Sequence, residues 1–277
     1  MILYRMLAEG PFFWGATLLF LSSGFLYILS LPHRRFRWFA RLFFFLAFLL
    51  VSLYIIRSWW LTSQPPFKTM FQSLVFLVWN ISLIYMVLEG SENLFFLGGP
   101  TCFFNSGILL LSTLFADIVR VNLPPALRSA WFIPHVVLYF AGYSFLFLGF
   151  LMSVLYLFFP GRKFLGESHW SGQLWRDYDL FSYRAIIYGF TFLSLGLAVG
   201  AVWAKGAWGA FWSWDPKENW ALITWLVYLI YLHMRYVRGW KGRRAAWLSI
   251  LGFAVVIMTY IGVNYLPSAA SALHAYQ

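Results

Sequence analysis

Residues 208–220 read Trp-Gly-Ala-Phe-Trp-Ser-Trp-Asp-Pro-Lys-Glu-Asn-Trp, and this run decides how the rest of the chain is interpreted. Six of the protein's 16 tryptophans lie between Trp203 and Trp225, a density that an ordinary membrane-spanning helix does not require. The portion Gly206–Trp214 is aromatic and interrupted by glycine. This composition is typical of an irregular segment at a membrane–water interface, where indole rings are favoured. We call residues 203–220 the Trp-rich segment.

The second half of the run has the features of a helix N-terminus. Asp215 suits the N-cap, Pro216 suits the first helical position, and Glu218 follows three residues after the cap, as in a capping box. An apolar run from Trp220 to Leu232 comes next, so we predict a helix that begins after Asp215. The two carboxylates could also form a catalytic acid pair. The capping role is favoured, because it satisfies free backbone N–H groups and complements the positive helix end.

The composition indicates an integral membrane protein. Of the 277 residues, 62% are hydrophobic, 23% are aromatic and only 10% are charged. Several stretches contain 18 or more residues with few charges, and they are continuously apolar rather than alternating, which favours helices over a barrel. We predict an all-α polytopic transmembrane bundle that forms a single integral membrane domain over residues 1–277.

About eight membrane spans are predicted. They are roughly Pro11–Leu31, Leu42–Leu61, Phe67–Leu88, Leu94–Phe115, His135–Phe159, Ala185–Ala204, Glu218–Met234 and Ala246–Tyr265. Four spans fall in an N-terminal half, residues 1–120. The other four fall in residues 121–277, together with the Trp-rich segment.

The basic residues predict the orientation of the spans. The net charge is +11, and 13 of the 20 basic residues fall in three loops, after the first, fifth and seventh spans. With eight spans these loops share one side, so the positive-inside rule places both termini, and the Trp-rich segment, on the outer side. Topology and contact with anionic lipid explain the charge, and nucleic acid is not required as a partner.

The sequence contains a single cysteine, Cys102, in an apolar segment. An internal disulfide, a CxxC redox motif, a cysteine zinc site and a CxxCH haem attachment site are therefore excluded for this chain. We expect Cys102 to be a small packed residue. The N-terminus lacks the basic region and cleavage site of a signal peptide, so the first span is predicted to remain as an anchor.

Three histidines stand out by their position. His135 opens the fifth span after Pro134, His274 lies in the outer tail, and His233 lies near the inner end of the seventh span. An interfacial histidine often only hydrogen-bonds water or a loop carbonyl, and His233 could simply lie at headgroup level beside Arg235. An ionisable side chain inside a span is nevertheless a functional candidate. His33 and His169 are expected to be solvated loop residues.

A longer string, WGAFWSWDPKENWALITWLVYLIYLH at residues 208–233, resembles the tryptophan-rich WWD signature of haem-handling membrane proteins in cytochrome c maturation. It is most similar to the CcsA/ResC family. The resemblance covers the chain from about Leu123 to the end, whereas the first 120 residues match in hydropathy and span count. The tail sequence Ala-Leu-His-Ala-Tyr at 272–276 differs from the Gly-Leu-His-Ser-Tyr that the family often has, but it keeps the His and Tyr spacing.

The resemblance implies a site for haem b, carried as cargo. His135 and His274 would be the axial ligands of the haem iron on the outer face, and His233 would hold haem in transit. The indole platform and its border would be formed by Trp208, Trp212, Trp214, Asp215 and Trp220. Lys205 and Lys217 could either anchor the segment at the membrane interface or pair with haem propionates.

The implied function is cytochrome c maturation. The chain would bind haem, present it at the outer face and, with a CcsB/ResB-type membrane partner, support its covalent attachment to the CxxCH motif of apocytochrome c. It would then be a component of a cytochrome c synthase complex, and whether the chain is itself an enzyme stays open. We expect a bacterial cytoplasmic membrane, with a thylakoid membrane as the alternative.

Two rival functions are considered. A membrane anchor that holds haem b permanently for quinone-linked electron transfer usually has paired ligand histidines within its spans, whereas two of the three candidates here lie at the outer boundary. A secondary transporter would be expected to show inverted repeats and midplane charges. The sequence shows neither feature.

Overall fold

The computed structural model describes residues 10–63, 65–67, 69–92, 94–115, 129–158 and 171–266, with the backbone alone for 91–92 and 171–177. The described residues fold into eight α-helices and contain no strand. The helices are α1 (Pro11–Leu29), α2 (Phe36–Thr62), α3 (Met70–Glu92), α4 (Gly98–Ser112), α5 (Phe132–Phe158), α6 (Ser171–Trp208), α7 (Pro216–Tyr236) and α8 (Arg243–Tyr260). Short 3₁₀ turns occupy Phe95–Leu97, Thr113–Phe115 and Gly262–Tyr265.

Each predicted span coincides with one of these helices, so the predicted all-α transmembrane class is confirmed. Seven of the described helical segments are long and apolar enough to cross a membrane. The exception is α7, whose tryptophans, tyrosines and polar ends lower its mean hydropathy although it has 21 residues. The predicted number of eight spans is therefore approximate.

Helix α6 differs most from its predicted span. It has 38 residues and begins at Ser171, well before the predicted start at Ala185, and it ends at Trp208 rather than at Ala204. The additional N-terminal turns carry polar residues, among them Asp179, which an apolar-run criterion rejects. Asp179 is tolerated there because its carboxylate is paired with Arg235 on α7.

The chain divides into two compact units, Met1–Val121 and Asn122–Gln277. In the first unit α1 packs against α2 and α4, and α3 packs against α4. A buried carboxylate joins three of these helices, since Glu89 on α3 accepts hydrogen bonds from Tyr27 Oη on α1 at 2.9 Å and from Arg41 Nε on α2 at 3.0 Å. Cys102 on α4 is fully buried, as expected for a packed residue.

In the second unit α5 and α6 form the closest helix pair, and α8 packs against both α5 and α7. Glycines let α5 and α6 approach closely: a Cβ built on Gly142 would lie 3.2 Å from the Gly189 carbonyl oxygen. Small residues commonly allow this contact between helices in membranes. Helices α7 and α8 are joined through Thr259 Oγ1, which lies 2.6 Å from Thr224 Oγ1 and donates to the Trp220 carbonyl at 3.0 Å.

A second buried charge pair holds one end of this unit together. Arg235 Nη1 on α7 donates to both carboxylate oxygens of Asp179 on α6, at 2.8 Å each. Asp179 Oδ1 also accepts from the backbone N–H of Gly242, just before α8, at 3.0 Å. The Arg235 guanidinium lies 4.6 Å from the ring centroid of Tyr183. This one carboxylate therefore connects three helical segments.

Candidate functional site

His135 lies in the first turn of α5, where its imidazole contacts α6. Its Nδ1 is 2.9 Å from the carbonyl oxygen of Gly196. Because a carbonyl oxygen can only accept, Nδ1 must carry the hydrogen in this contact, which leaves the lone pair of the neutral ring on Nε2. A metal-binding histidine typically has this arrangement, with one nitrogen donating to a carbonyl and the other facing the metal.

Aromatic rings surround the imidazole and connect it to the Trp-rich segment. Trp203 is stacked with His135 at a centroid distance of 5.4 Å and an interplanar angle of 29°. Trp208 packs edge-on against Trp203 at 4.8 Å, and Tyr139 lies 4.8 Å from His135 on the same helix. The structure thus brings His135 to the beginning of the Trp-rich segment, through the buried ring of Trp203.

The Trp-rich segment is irregular only after Trp208. Helix α6 continues through Gly206, which was predicted to belong to the irregular portion, and ends where Gly209 adopts a φ of 84°. Lys205 stabilises this end, because its Nζ donates to the Gly209 carbonyl at 2.6 Å. Cations at a helix C-terminus also complement the helix dipole.

The irregular portion exposes large apolar rings. Trp214 is 69% exposed and Phe211 is 57% exposed. Trp214 also adopts a φ of 58°, which is uncommon for a bulky residue and costs about 1–3 kcal/mol. Trp212 lies edge-on to Trp214 at 5.9 Å, and its buried Nε1 has no hydrogen-bond acceptor among the described residues.

The predicted capping box at the start of α7 is confirmed. The Asp215 side chain accepts from the Lys217 N–H at 2.9 Å, and Glu218 Oε2 accepts from the Asp215 N–H at 3.2 Å. Glu218 Oε2 also accepts from the Ser213 N–H at 2.7 Å, which ties the irregular portion to the helix. Both carboxylates are buried and occupied with backbone donors.

A substitution pair tests whether the Asp215 carboxylate has a role beyond capping. Asp215→Ala is expected to lower the free energy of unfolding by about 1–2 kcal/mol, because the α7 N-terminus loses its cap. Asp215→Asn keeps a capping oxygen and is expected to preserve both stability and haem content. Thermal unfolding in detergent and haem absorbance measure these effects. Loss of haem in a stable Asp215→Asn protein would contradict a purely structural role.

The two lysines of the segment differ in their surroundings. Lys205 is already engaged by the Gly209 carbonyl, and its ammonium lies 5.7 Å from the Phe211 ring centroid. Lys217, which precedes the predicted span Glu218–Met234, is half-buried. Burial lowers the pKa of Lys217 to about 8, although the negative charge of Asp215 acts in the opposite direction. An anionic ligand beside Lys217 would favour its charged form.

The remaining predicted site residues are Trp220, His233 and His274. Trp220 is part of the first turns of α7, where its carbonyl accepts from Thr224 and Thr259. His233 is exposed in the last turns of α7, about 27 Å along the helix axis from Asp215. His274 lies outside the described residues. Within the described ranges, no group of three or more His, Cys, Asp or Glu side chains is placed to hold a metal ion.

Several neighbours of His135 were not predicted as site residues. Trp203 stands in the sequence only as part of the tryptophan cluster. Its spacing of five residues from Trp208 gives no signal for a contact, because side chains three or four residues apart are the neighbours on a helix. Gly196 has no recognisable signal in the sequence, because it acts through its backbone carbonyl and through a helix pairing that the sequence does not reveal.

Comparison with known proteins identifies the family. The model of the family "Cytochrome C assembly protein" matches residues 67–270. The chain is 38% identical to the "Cytochrome c biogenesis protein CcsA" of Prochlorococcus marinus strain MIT 9515, over 90% of this chain and 87% of the relative. It is 36% identical to the protein of the same name from Nicotiana tomentosiformis, over 83% and 82% of the two chains.

A solved structure has a similar fold. The "Cytochrome c Heme Lyase CcmF" superposes with a TM-score of 0.63 at 19% sequence identity, covering 96% of this chain. The matched region is 49% of CcmF, so this chain spans about half the length of that protein. At this identity the likeness concerns the fold alone. The family match and the relatives together show that this chain is a member of the CcsA family of cytochrome c assembly proteins.

Proposed function

We propose that this protein acts in cytochrome c maturation by holding haem b at the outer membrane face and presenting it for covalent attachment to apocytochrome c. One observation carries the proposal. The His135 imidazole lies with Nδ1 2.9 Å from the Gly196 carbonyl oxygen and with its ring stacked on Trp203, at the beginning of the Trp-rich segment. This combination provides an iron ligand next to an aromatic surface that suits a porphyrin.

His135 and His274 would ligate the haem iron from its two faces. The tautomer of His135 suits this role, since the lone pair on Nε2 is the donor that iron requires. Two imidazole ligands hold haem iron in the low-spin state and protect it from other ligands. Release then requires that the histidine of the CxxCH motif displaces one of them.

The exposed rings of the Trp-rich segment would cover the porphyrin. Trp214 and Phe211 present apolar faces to the surroundings, at a position where Trp214 also carries backbone strain. Strained residues persist where the surrounding structure holds them, and such positions are often functional. Trp208, Trp212 and Trp220 would complete this platform. Lys205 and Lys217 border the irregular portion, and either ammonium group could pair with a haem propionate.

The covalent chemistry belongs to haem and the acceptor. Each cysteine thiol adds across a haem vinyl group: a carbon–sulfur bond forms at the carbon nearest the porphyrin ring, and the thiol hydrogen adds to the terminal carbon. The chain itself supplies position and exclusion of competing ligands, as proteins commonly do for cofactor chemistry. No residue of the chain is needed as a nucleophile, in agreement with the buried position of Cys102.

The orientation, the partner and the transit route are parts of the same proposal. The positive-inside rule supports an outer Trp-rich segment, with His233 at the opposite end of α7, where haem would be held on its way outward. A CcsB/ResB-type membrane subunit would be the partner, in a bacterial cytoplasmic membrane or alternatively a thylakoid membrane. The CcsA relatives come from both a cyanobacterium and a plant.

Reconstitution of the complete complex tests the function. The chain and its membrane partner are co-purified, incorporated into vesicles with haem and reductant, and offered a CxxCH peptide from one side. A Ser213→Cys variant reports orientation, because this exposed position reacts with an impermeant maleimide only from the side that the Trp-rich segment faces. Wild type treated with the same maleimide serves as the control. It should not be labelled, because its one cysteine is buried.

We expect thioether-linked peptide only when the peptide is added to the side where position 213 is labelled. Attachment from the opposite side would contradict the proposed orientation. Stable haem with a reversible potential and no transfer to the peptide would instead support the permanent haem b anchor.

A further inference from the structure

Two glycines of α6 form the surface on which the His135 imidazole rests. His135 and Tyr139 lie one helical turn apart on α5, and they face Gly200 and Gly196, one turn apart on α6. A Cβ built on Gly200 would lie 2.5 Å from Nδ1 and 2.6 Å from Cε1 of His135. A Cβ on Gly196 would lie 2.6 Å from Tyr139 Cδ2. Neither ring could keep its place beside a residue with a side chain.

We propose that Gly196 and Gly200 are positioning residues that hold His135 as a haem ligand, Gly196 through its carbonyl and Gly200 through its missing side chain. The inference rests on the proposed function, because it concerns the same haem site. It adds that the α6 backbone selects the iron-binding nitrogen.

The geometry restrains the imidazole in three directions. Trp203 stacks on one face at 5.4 Å, the Gly196 carbonyl holds Nδ1 at 2.9 Å, and the Gly200 backbone lies against the ring edge. Gly200 and Trp203 are three residues apart, so they share a face of α6. A ring held in this way keeps Nε2 pointing in one direction, and the Nδ1–H donor also raises the basicity of the ligand.

Other glycines at the same helix interface have a different role. Gly142 approaches the Gly189 carbonyl and Gly149 approaches the Ser182 carbonyl, so their substitution would disturb helix packing in general. Gly200 instead contacts the candidate ligand directly. Its substitution should therefore affect haem binding more strongly than it affects folding.

Gly200→Ala tests this inference, with Gly107→Ala as its control. Both glycines lie within helices and both changes raise helix propensity, but a Cβ on Gly107 would meet no atom within 4 Å, and α4 is not part of the Trp-rich segment. The variants are purified with the membrane partner, and haem per protein, the visible spectrum and thermal unfolding are recorded. We expect Gly200→Ala to lower haem content about tenfold or more, as the loss of a ligand-orienting partner typically does. Gly107→Ala should resemble wild type.

A second background separates positioning from packing. In a His135→Gly protein the ring is absent, so the methyl group that Gly200→Ala adds has room, and this change should no longer lower the unfolding temperature. If Gly200→Ala lowers the unfolding temperature equally in wild type and in His135→Gly, the change acts through helix packing, and the inference is overturned. If His135→Gly retains full haem, the proposed function itself fails. If His135→Gly loses haem while Gly200→Ala keeps the wild-type haem content and spectrum, the result would support the proposed function but contradict the positioning role of Gly200.

Discussion

Replacing His135 with Ala is expected to remove the low-spin haem spectrum and to reduce attachment of haem to a CxxCH peptide at least 100-fold. The change deletes the imidazole that stacks on Trp203, so under the proposed function the haem iron would lose its ligand on that side. Loss of a direct ligand is more severe than loss of a ligand-orienting partner, for which 10–100-fold effects are typical. Absorbance spectra of the purified complex and peptide labelling measure the two effects.

The control for this experiment is His33→Ala. His33 is exposed in the first unit, where its ring centroid lies 6.2 Å from that of Phe36, and it is not a residue of the Trp-rich segment. Adding free imidazole to the His135→Gly protein should restore part of the spectrum, which an unfolded protein could not do. Full haem occupancy in a double variant, His135→Ala with His274→Ala, would show that neither histidine is required as a haem ligand.

Asp179→Ala is expected to lower the free energy of unfolding of the second unit by about 3–5 kcal/mol. The reason is the environment of Arg235, whose side chain is only 6% exposed and whose Nη1 donates to both Asp179 oxygens. Removing the carboxylate leaves a buried guanidinium without its counter-charge, and it also deprives the Gly242 N–H of an acceptor. Thermal unfolding in detergent, followed by circular dichroism, measures the change.

A double-mutant cycle with Arg235→Met separates the contribution of the charge pair to stability from the other effects of Asp179→Ala. The double variant should be more stable than Asp179→Ala alone, because no unpaired charge stays buried. Arg238→Ala, at an exposed position in the same loop region, should shift the unfolding temperature little. Equal stability of wild type and Asp179→Ala would show that the pair contributes nothing to the fold.

The helices and the cap of α7 could be predicted because their signals are local. Continuous apolar runs predicted all eight helices, and the Asp215–Glu218 spacing predicted the capping box. The start of α6 could not be found in this way. Its N-terminal turns contain Asp179, whose polarity is compensated by Arg235, a residue that lies 56 positions later in the chain.

The candidate site was predicted in part. His135 and the tryptophans were selected by residue type and by family resemblance, and the described structure places His135 beside Trp203 and Trp208. The roles of Gly196 and Gly200 were not predictable. Glycine has no side chain whose chemistry could indicate a function. These two residues matter only because α6 packs against the first turns of α5.

The sequence by itself determined the membrane-embedded all-helical class, the start of α7, the exclusion of an internal disulfide and the family. These properties follow from hydrophobicity, local hydrogen bonding and residue identity, which are readable along the chain. Only the tertiary structure decided the contact of His135 with the Gly196 carbonyl, the pairing of Asp179 with Arg235 and the joining of three helices by Glu89. Each of these depends on which helices become neighbours, and packing between distant segments fixes that choice.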